Sequence, residues 1–186
     1  MHQTRRSLTD RMLGAAMLDV NTYEEVEADR SATSQAALVV AIAAVAQAIG
    51  GAAGRGNAGR GFITIVIVAL ISWALSAAVT YLVGTKLFGG TADWGEVARA
   101  LGFAQAPLVL AVLGFIPVLG KLLLVILGIW VLVARIIAIR QALDFSTGKA
   151  VATAVVGWLV MMLPPILLGM LAVGALILGG AARGGF

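Results

Sequence analysis

Apolar residues fall into five long blocks, and polar residues fill the stretch before the first block and the breaks between the others. The blocks run over 36–53, 62–83, 101–119, 122–139 and 151–178. The second, at about 22 residues and 1.5 Å per residue, reaches about 33 Å, enough for a hydrocarbon core of about 30 Å. The last would extend about 42 Å, too long for one straight crossing. Pro164 and Pro165 lie at its middle and remove backbone hydrogen bonds there. A tilted, kinked single crossing is the preferred reading, and a re-entrant pair of half-helices is the rival. Pro107 and Pro117 interrupt the third block, so full crossing by both the third and fourth blocks stays open. The pattern predicts an all-α polytopic membrane protein with five transmembrane helices. Its divisions are a charged N-terminal region over 1–33, a membrane domain over 34–182 and a short tail over 183–186.

The N-terminal region has no apolar stretch of the kind a secretory leader needs. Ser7 with Asp10, and Thr22 with Glu25, have capping-box spacing, so two short helices are expected. In the first, Leu8, Met12, Leu13, Ala16 and Met17 share a broad face, with Arg5, Arg6 and Arg11 at its start or opposite. That is the pattern of a helix lying in the membrane interface, and equally of one packed on the protein's own loops. Asp93 and Glu96 repeat the capping-box spacing before the third block. There Trp94, Val97, Ala98 and Leu101 share a face, Glu96 and Arg99 point to water, and Trp94 suits the headgroup zone.

Composition supports lipid as the solvent. The chain is 61% hydrophobic and only 12% charged, against about 25% charged in ordinary globular domains. The net charge of +4 comes from scattered basic residues rather than a dense patch, which excludes nucleic acid as a partner. There is no cysteine, and the one histidine, His2, is terminal, so thiolate chemistry, a zinc site and a Ser-His-Asp set are excluded. No metal or cofactor is expected.

Two glycine-rich stretches resemble phosphate loops and fail on context. Gly54, Gly56 and Gly59 in GRGNAGRG fit G-x-G-x-x-G, but that fingerprint works between a strand and a helix, and here apolar helices stand on both sides. Gly148-Lys149 lacks the motif's first glycine, and Ala150 stands where Ser or Thr would bind magnesium.

With five crossings, Arg5, Arg6, Arg11, Arg30, Lys86, Arg99, Arg135, Arg140 and Lys149 share the N-terminal side, with all nine acidic residues. Arg55, Arg60, Lys121 and Arg183 lie opposite. The bias puts the N terminus in the cytoplasm and the C terminus outside, in the cell's inner (plasma) membrane. Arg135 reads as a side chain snorkelling to the cytoplasmic boundary. Ser72, Ser76 and Thr80 share a helix face, as do Ala37, Ala41, Ala44 and Ala48, and small faces serve close packing within the chain or between copies. The acids Glu24, Glu25, Glu27 and Asp29 read as a solvated or partner-binding surface.

The order of features resembles the Yip domain family of Ypt/Rab-GTPase-interacting membrane proteins, and most closely its bacterial branch. The resemblance rests on LDVNTYEEVEADRSATSQA before the first span, on ALGFAQAPLVL with Gly102, Phe103 and Pro107, and on the loop DFSTGKA. Val20 and Arg30 stand where bacterial relatives are expected to carry proline, Phe103 replaces tyrosine, and the eukaryotic Asp-Leu-Tyr-Gly-Pro motif is absent. The resemblance implies five crossings with a cytoplasmic N terminus. The role of eukaryotic members in vesicle traffic and prenylated GTPase binding does not carry over without that motif. The reading is a non-enzymatic membrane protein that organises bilayer or recruits a cytoplasmic protein partner, as a homo-oligomer. Its surfaces would be Arg5, Arg6, Arg11, Tyr23, Glu24, Glu25, Gly148 and Lys149. The alternative is a channel or transporter for an ion or small solute, using Gln47, Ser72, Ser76, Thr80, Arg135 and the break at Pro164 and Pro165.

Overall fold

The computed structural model describes residues 6–52, 61–116 and 118–183, with side chains as far as Val173. Residues 54–60 of the GRGNAGRG stretch, Arg5 and Pro117 lie outside the described residues. Helices follow one another as α1 (Leu8–Ala16), α2 (Val20–Ala28), α3 (Ala32–Ala52) and α4 (Phe62–Phe88). Then come α5 (Trp94–Phe103), a 3-10 helix (Ala106–Phe115), α6 (Leu119–Ala142) and α7 (Thr147–Arg183). No strand occurs among the described residues. Five stretches are long and apolar enough to cross a membrane: Ala32–Gly51, Phe62–Phe88, Trp94–Phe115, Leu119–Ala142 and Thr147–Val173. The fold is an all-α polytopic membrane bundle. Helix α7 is continuous through Pro164 and Pro165, as a single rod rather than a pair of half-helices.

The third crossing is composite. Its α-helical half starts at the Asp93–Glu96 capping box, where each side chain accepts the other's backbone N–H at 2.8 Å. It ends at Phe103 because Pro107 has no N–H to offer the Phe103 carbonyl. The chain turns through Gln105 N–H to Gly102 O at 3.2 Å and continues as a ten-residue 3-10 helix. Runs of that geometry beyond three or four residues are uncommon, yet they rise about 2 Å per residue. The two halves together reach about 35 Å, so the composite is long enough to cross.

This broken rod is the centre of the bundle. Helices α1, α2, α3, α4 and α6 pack on one or both of its halves, while α7 closes the side made by α4 and α6. Small residues set the closest crossings. A Cβ at Gly102 would sit 2.7 Å from the Ala36 Cβ, so α5 crosses α3 nearly backbone to backbone. One at Gly50 would collide with the Ala111 carbonyl oxygen, which seats α3 against the 3-10 helix. The buried face of α3 runs through Ala32, Ala36, Val39, Ala43 and Gly50, and of the alanine face expected from spacing Ala44 is buried with it while Ala37, Ala41 and Ala48 are half-buried.

Helices α1 and α2 belong to the same core. The Ser7–Asp10 capping box forms, whereas the one expected at Thr22 and Glu25 does not. Asp19 caps α2 three residues earlier, and Thr22 is buried, its hydroxyl donating to Asp19 at 2.7 Å. Leu8, Met12 and Ala16 pack inward, and Trp130 of α6 donates to the Ala16 carbonyl at 2.7 Å. Leu13 and Met17 face outward, 55% and 77% exposed, so only part of the apolar face is left for lipid.

Arg11, expected on the outer surface, is 2% exposed. Its guanidinium donates to Glu25 at 2.9 Å, Asp29 at 2.8 Å and Gln35 at 2.8 Å, tying α1 to α2 and α3. Arg99, expected to point to water, is 4% exposed and donates from Nε to the Val26 and Glu27 carbonyls at 3.1 and 2.9 Å. Each correction has one cause: the apolar faces dock so closely that the cations are enclosed with their oxygens.

Three substitutions test this packing. Gly102→Ala should cost about 1–3 kcal/mol through overpacking. Gly128→Ala, with nothing within 4 Å of its Cβ, should be neutral or slightly stabilising. Thermal unfolding in detergent reads both. Arg11→Met should lower stability by about 2–3 kcal/mol in the same assay, because Glu25 and Asp29 lose the cation that bridges them and Arg6 alone remains on Glu25.

Candidate functional site

Polar residues gather at the end of the bundle formed by α2, the start of α5 and the α6–α7 turn. The turn is built by Asp144, whose φ of 54° is in the left-handed region that asparagine and aspartate tolerate. Phe145 N–H reaches back to the Arg140 carbonyl at 2.8 Å and ends α6. The Asp144 carboxylate accepts the Thr91 hydroxyl at 3.1 Å, which ties the turn to the α4–α5 connection. Lys149 donates to the Phe88 carbonyl at 3.1 Å and lies 5.4 Å from the centre of the Phe145 ring. Gly148 beside it is exposed, with open space around its Cα.

These contacts frame an open groove of about 490 Å³ lined by Arg140, Gln141, Asp144, Phe145, Ser146 and Thr147. Gln141 carries it across to α2 by donating to Glu24 at 2.8 Å. The end face therefore unites three of the residues named from sequence, Glu24, Gly148 and Lys149, with four that were not: Gln141, Asp144, Ser146 and Thr147. Asp144 to Lys149 adjoin one another in a single loop, whereas Glu24 meets Gln141 only through α2–α6 packing across more than a hundred residues, which no local pattern encodes.

Other expected surface residues lie elsewhere. Tyr23 is fully buried, its hydroxyl donating to the Ala15 carbonyl at 3.0 Å, and burial pushes its ionisation upward. It offers a partner nothing. Glu25 is engaged by Arg6 and Arg11 at 3.3 and 2.9 Å, and Arg6 also meets Asp19 at 3.4 Å. The Ser31 hydroxyl, with Arg11 adding to it, holds the Asp29 carboxyl at about 2. Among the described residues no three His, Cys, Asp or Glu side chains converge as metal ligands.

The positions suggested for a solute path are scattered. Gln47 donates to its own helix at the Ala43 carbonyl, 3.2 Å away, beside an open α3–α4 groove. Ser72 is exposed, Ser76 half-buried and Thr80 buried. Arg135 does not extend toward the α6–α7 turn: its Nη2 donates to Ser76 Oγ on α4 at 2.6 Å. Pro164 and Pro165 lie on the exposed stretch of α7. Of the motif positions, Gly102 makes the α3 crossing, Phe103 is buried in the core, and Pro107 ends α5.

Glu27 borders the polar end face and stores electrostatic tension. Its Oε2 is buried without a hydrogen-bond partner. Burial, then the charges of Asp144, Glu96 and Glu24, push its carboxyl up to about 7, with Arg99 acting in the opposite sense. Because the folded value lies above the ordinary glutamate value of 4.5, the native state holds the extra proton between them. Stability should therefore fall as pH rises from about 4.5 to about 7. Glu27→Gln should flatten that slope and gain about 1–2 kcal/mol at pH 8, after discounting for partial exposure. Unfolding midpoints of both proteins across pH 5–8 check it.

No curated protein and no solved structure matches the chain. A family model described as the Yip1 domain matches residues 20–168, from the first residue of α2 into α7 beyond its two prolines. The matched region takes in the composite third crossing, the buried Arg99 and the whole polar end face. With most of its length under that model, the chain belongs to the Yip1 domain family.

Proposed function

We propose that this protein is a non-enzymatic membrane scaffold whose polar end face recruits a cytoplasmic protein partner. The observation that carries the reading is the contrast between its surfaces. Large apolar side chains are exposed along α4, α6 and α7, whereas Glu24, Arg30, Asp144, Ser146 and Lys149 are exposed together at one end. A charged, shaped surface on an otherwise lipid-facing protein suits protein recognition, where charge complementarity sets specificity. The Lys and Arg bias along the sequence supports a cytoplasmic location for this end and for the N terminus, with the C terminus across the inner membrane. The long apolar face of α7 supports assembly into a homo-oligomer.

A photo-crosslinking residue at Ser146, in intact cells, should give one discrete adduct with a soluble protein, lost in Asp144→Arg. A probe at Leu171 should give self-adducts. Absence of any soluble-protein adduct from probes at both Ser146 and Glu24 would overturn partner recruitment.

A further inference from the structure

Arg135 is paired differently from the arginines of the cap. Arg6 and Arg11 meet carboxylates, Arg99 meets backbone carbonyls, and Arg140 donates to Gln141. Arg135 donates to the Ser76 hydroxyl, and among the described residues no carboxylate lies within ion-pair distance of it. Its other N–H groups are not sealed inside protein, since the buried unpartnered polar atoms among the described residues are Glu27 Oε2 and Thr153 Oγ1. A guanidinium at an apolar surface is costly unless an anion or water meets it.

The depth of this group can be read from helix register. The groove lined by Ala44, Gln47, Thr64 and Val68 shows α3 and α4 running antiparallel. About twelve residues along each helix toward the polar end bring Gln35 level with Ser76. Gln35 accepts a hydrogen bond from Arg11, so Arg135 lies at the level of the Arg11 ion-pair network. From the opposite end, Phe62 to Ser76 spans about 21 Å and Leu119 to Arg135 about 24 Å, which puts the pair about 6–9 Å below the edge of a hydrocarbon core of about 30 Å. On α6 the exposed apolar surface ends at the same place, whereas on α4 Leu82 and Leu87 carry it further toward the polar end. On α6, Ile129, Leu132 and Val133 are exposed, and no large apolar residue from there to Ala142 is.

We infer that Arg135 and Ser76 form a binding site for the phosphodiester group of a membrane phospholipid. Its acyl chains lie along the exposed apolar faces of α4 and α6. The guanidinium fork matches two phosphate oxygens, and the Ser76 hydroxyl, which accepts from Arg135, has its own proton to donate to a third. A guanidinium below the interface draws a headgroup phosphate inward by thinning the bilayer locally, and among the described residues no carboxylate competes for it. This inference stands apart from partner recruitment at the end face and does not require it.

The test uses the full chain in neutral detergent, titrated with short-chain phosphatidylglycerol, with diacylglycerol of the same chain length and with inorganic phosphate. Bound lipid is read by native mass spectrometry, and binding by the unfolding midpoint. Phosphatidylglycerol should bind one site per chain, at least tenfold more weakly in Arg135→Gln and several-fold more weakly in Ser76→Ala. Diacylglycerol and inorganic phosphate should bind far more weakly than the phospholipid. Equal affinity in wild type and Arg135→Gln would overturn the site. Diacylglycerol binding as tightly would leave only a greasy groove, and inorganic phosphate binding as tightly would make it a site for the free anion; either result overturns the phospholipid assignment. If Arg135→Gln does not fold, unchanged affinity in both Arg135→Lys and Ser76→Ala overturns it instead.

Discussion

A guanidinium enclosed by apolar helices must find oxygen, and two such groups determine how the N-terminal helices sit. Arg11 and Arg99 are both nearly inaccessible. Neither could be buried on its own helix without a loss of several kcal/mol. Arg11 is satisfied only where α2 and α3 together bring Glu25, Asp29 and Gln35. Arg99 is satisfied only where the last turn of α2 presents the Val26 and Glu27 carbonyls, which have no later helical N–H to receive. The same short helix thus answers both cations, one with its side chains and one with its backbone. Moving α2 by a turn would break both sets at once, so its position is sharply specified even though α2 itself is only nine residues long.

That constraint works because the central rod is broken where it is. Pro107 stops α5 at Phe103, and the change to 3-10 geometry narrows the rod and lengthens its reach. Gly102 lies just before the break and Gly114 near the far end, each at a close approach to α3. A continuous α-helix of the same residues would be shorter and broader, and could not make both approaches in the same register. The break also separates two environments. Arg99 and the α2 contacts belong to the half before it, and the wholly apolar 3-10 segment to the half after it.

The crossings were legible in the sequence because lipid demands long apolar runs, whereas the full length of Trp94–Phe115 and of Leu119–Ala142, and the single course of α7, hid behind prolines. The capping boxes at Ser7 and Asp93 were legible for the same local reason: a side chain three residues from its partner needs nothing else. Thr22 and Glu25 have that spacing and fail, because Asp19 already caps the helix locally and takes the Thr22 hydroxyl, while tertiary packing brings Arg6 and Arg11 to Glu25. Arg99, read as solvent-facing from its helix face, lies between α5 and an α2 whose docking no local pattern announces. The candidate site divides the same way. Glu24 and Lys149 could be named from sequence, but Gln141, which joins α6 to Glu24, could not.

The composition of the surface follows from these choices. Once Arg11, Arg99, Glu25 and Asp29 are consumed in holding the N-terminal helices, the charges still outward at that end include Glu24, Arg30, Lys86, Asp93, Asp144 and Lys149. Asp144 serves twice, bonding Thr91 while raising the proton affinity of Glu27 beneath it. The end face and the core of the cap are therefore electrostatically continuous. A partner that brings a cation to Asp144 would weaken the field on Glu27 and favour its ionised form, by the same linkage that makes stability depend on pH. Binding at the surface and protonation in the cap would then oppose each other, a coupling that follows from the placement of Asp144 between solvent and a buried carboxyl.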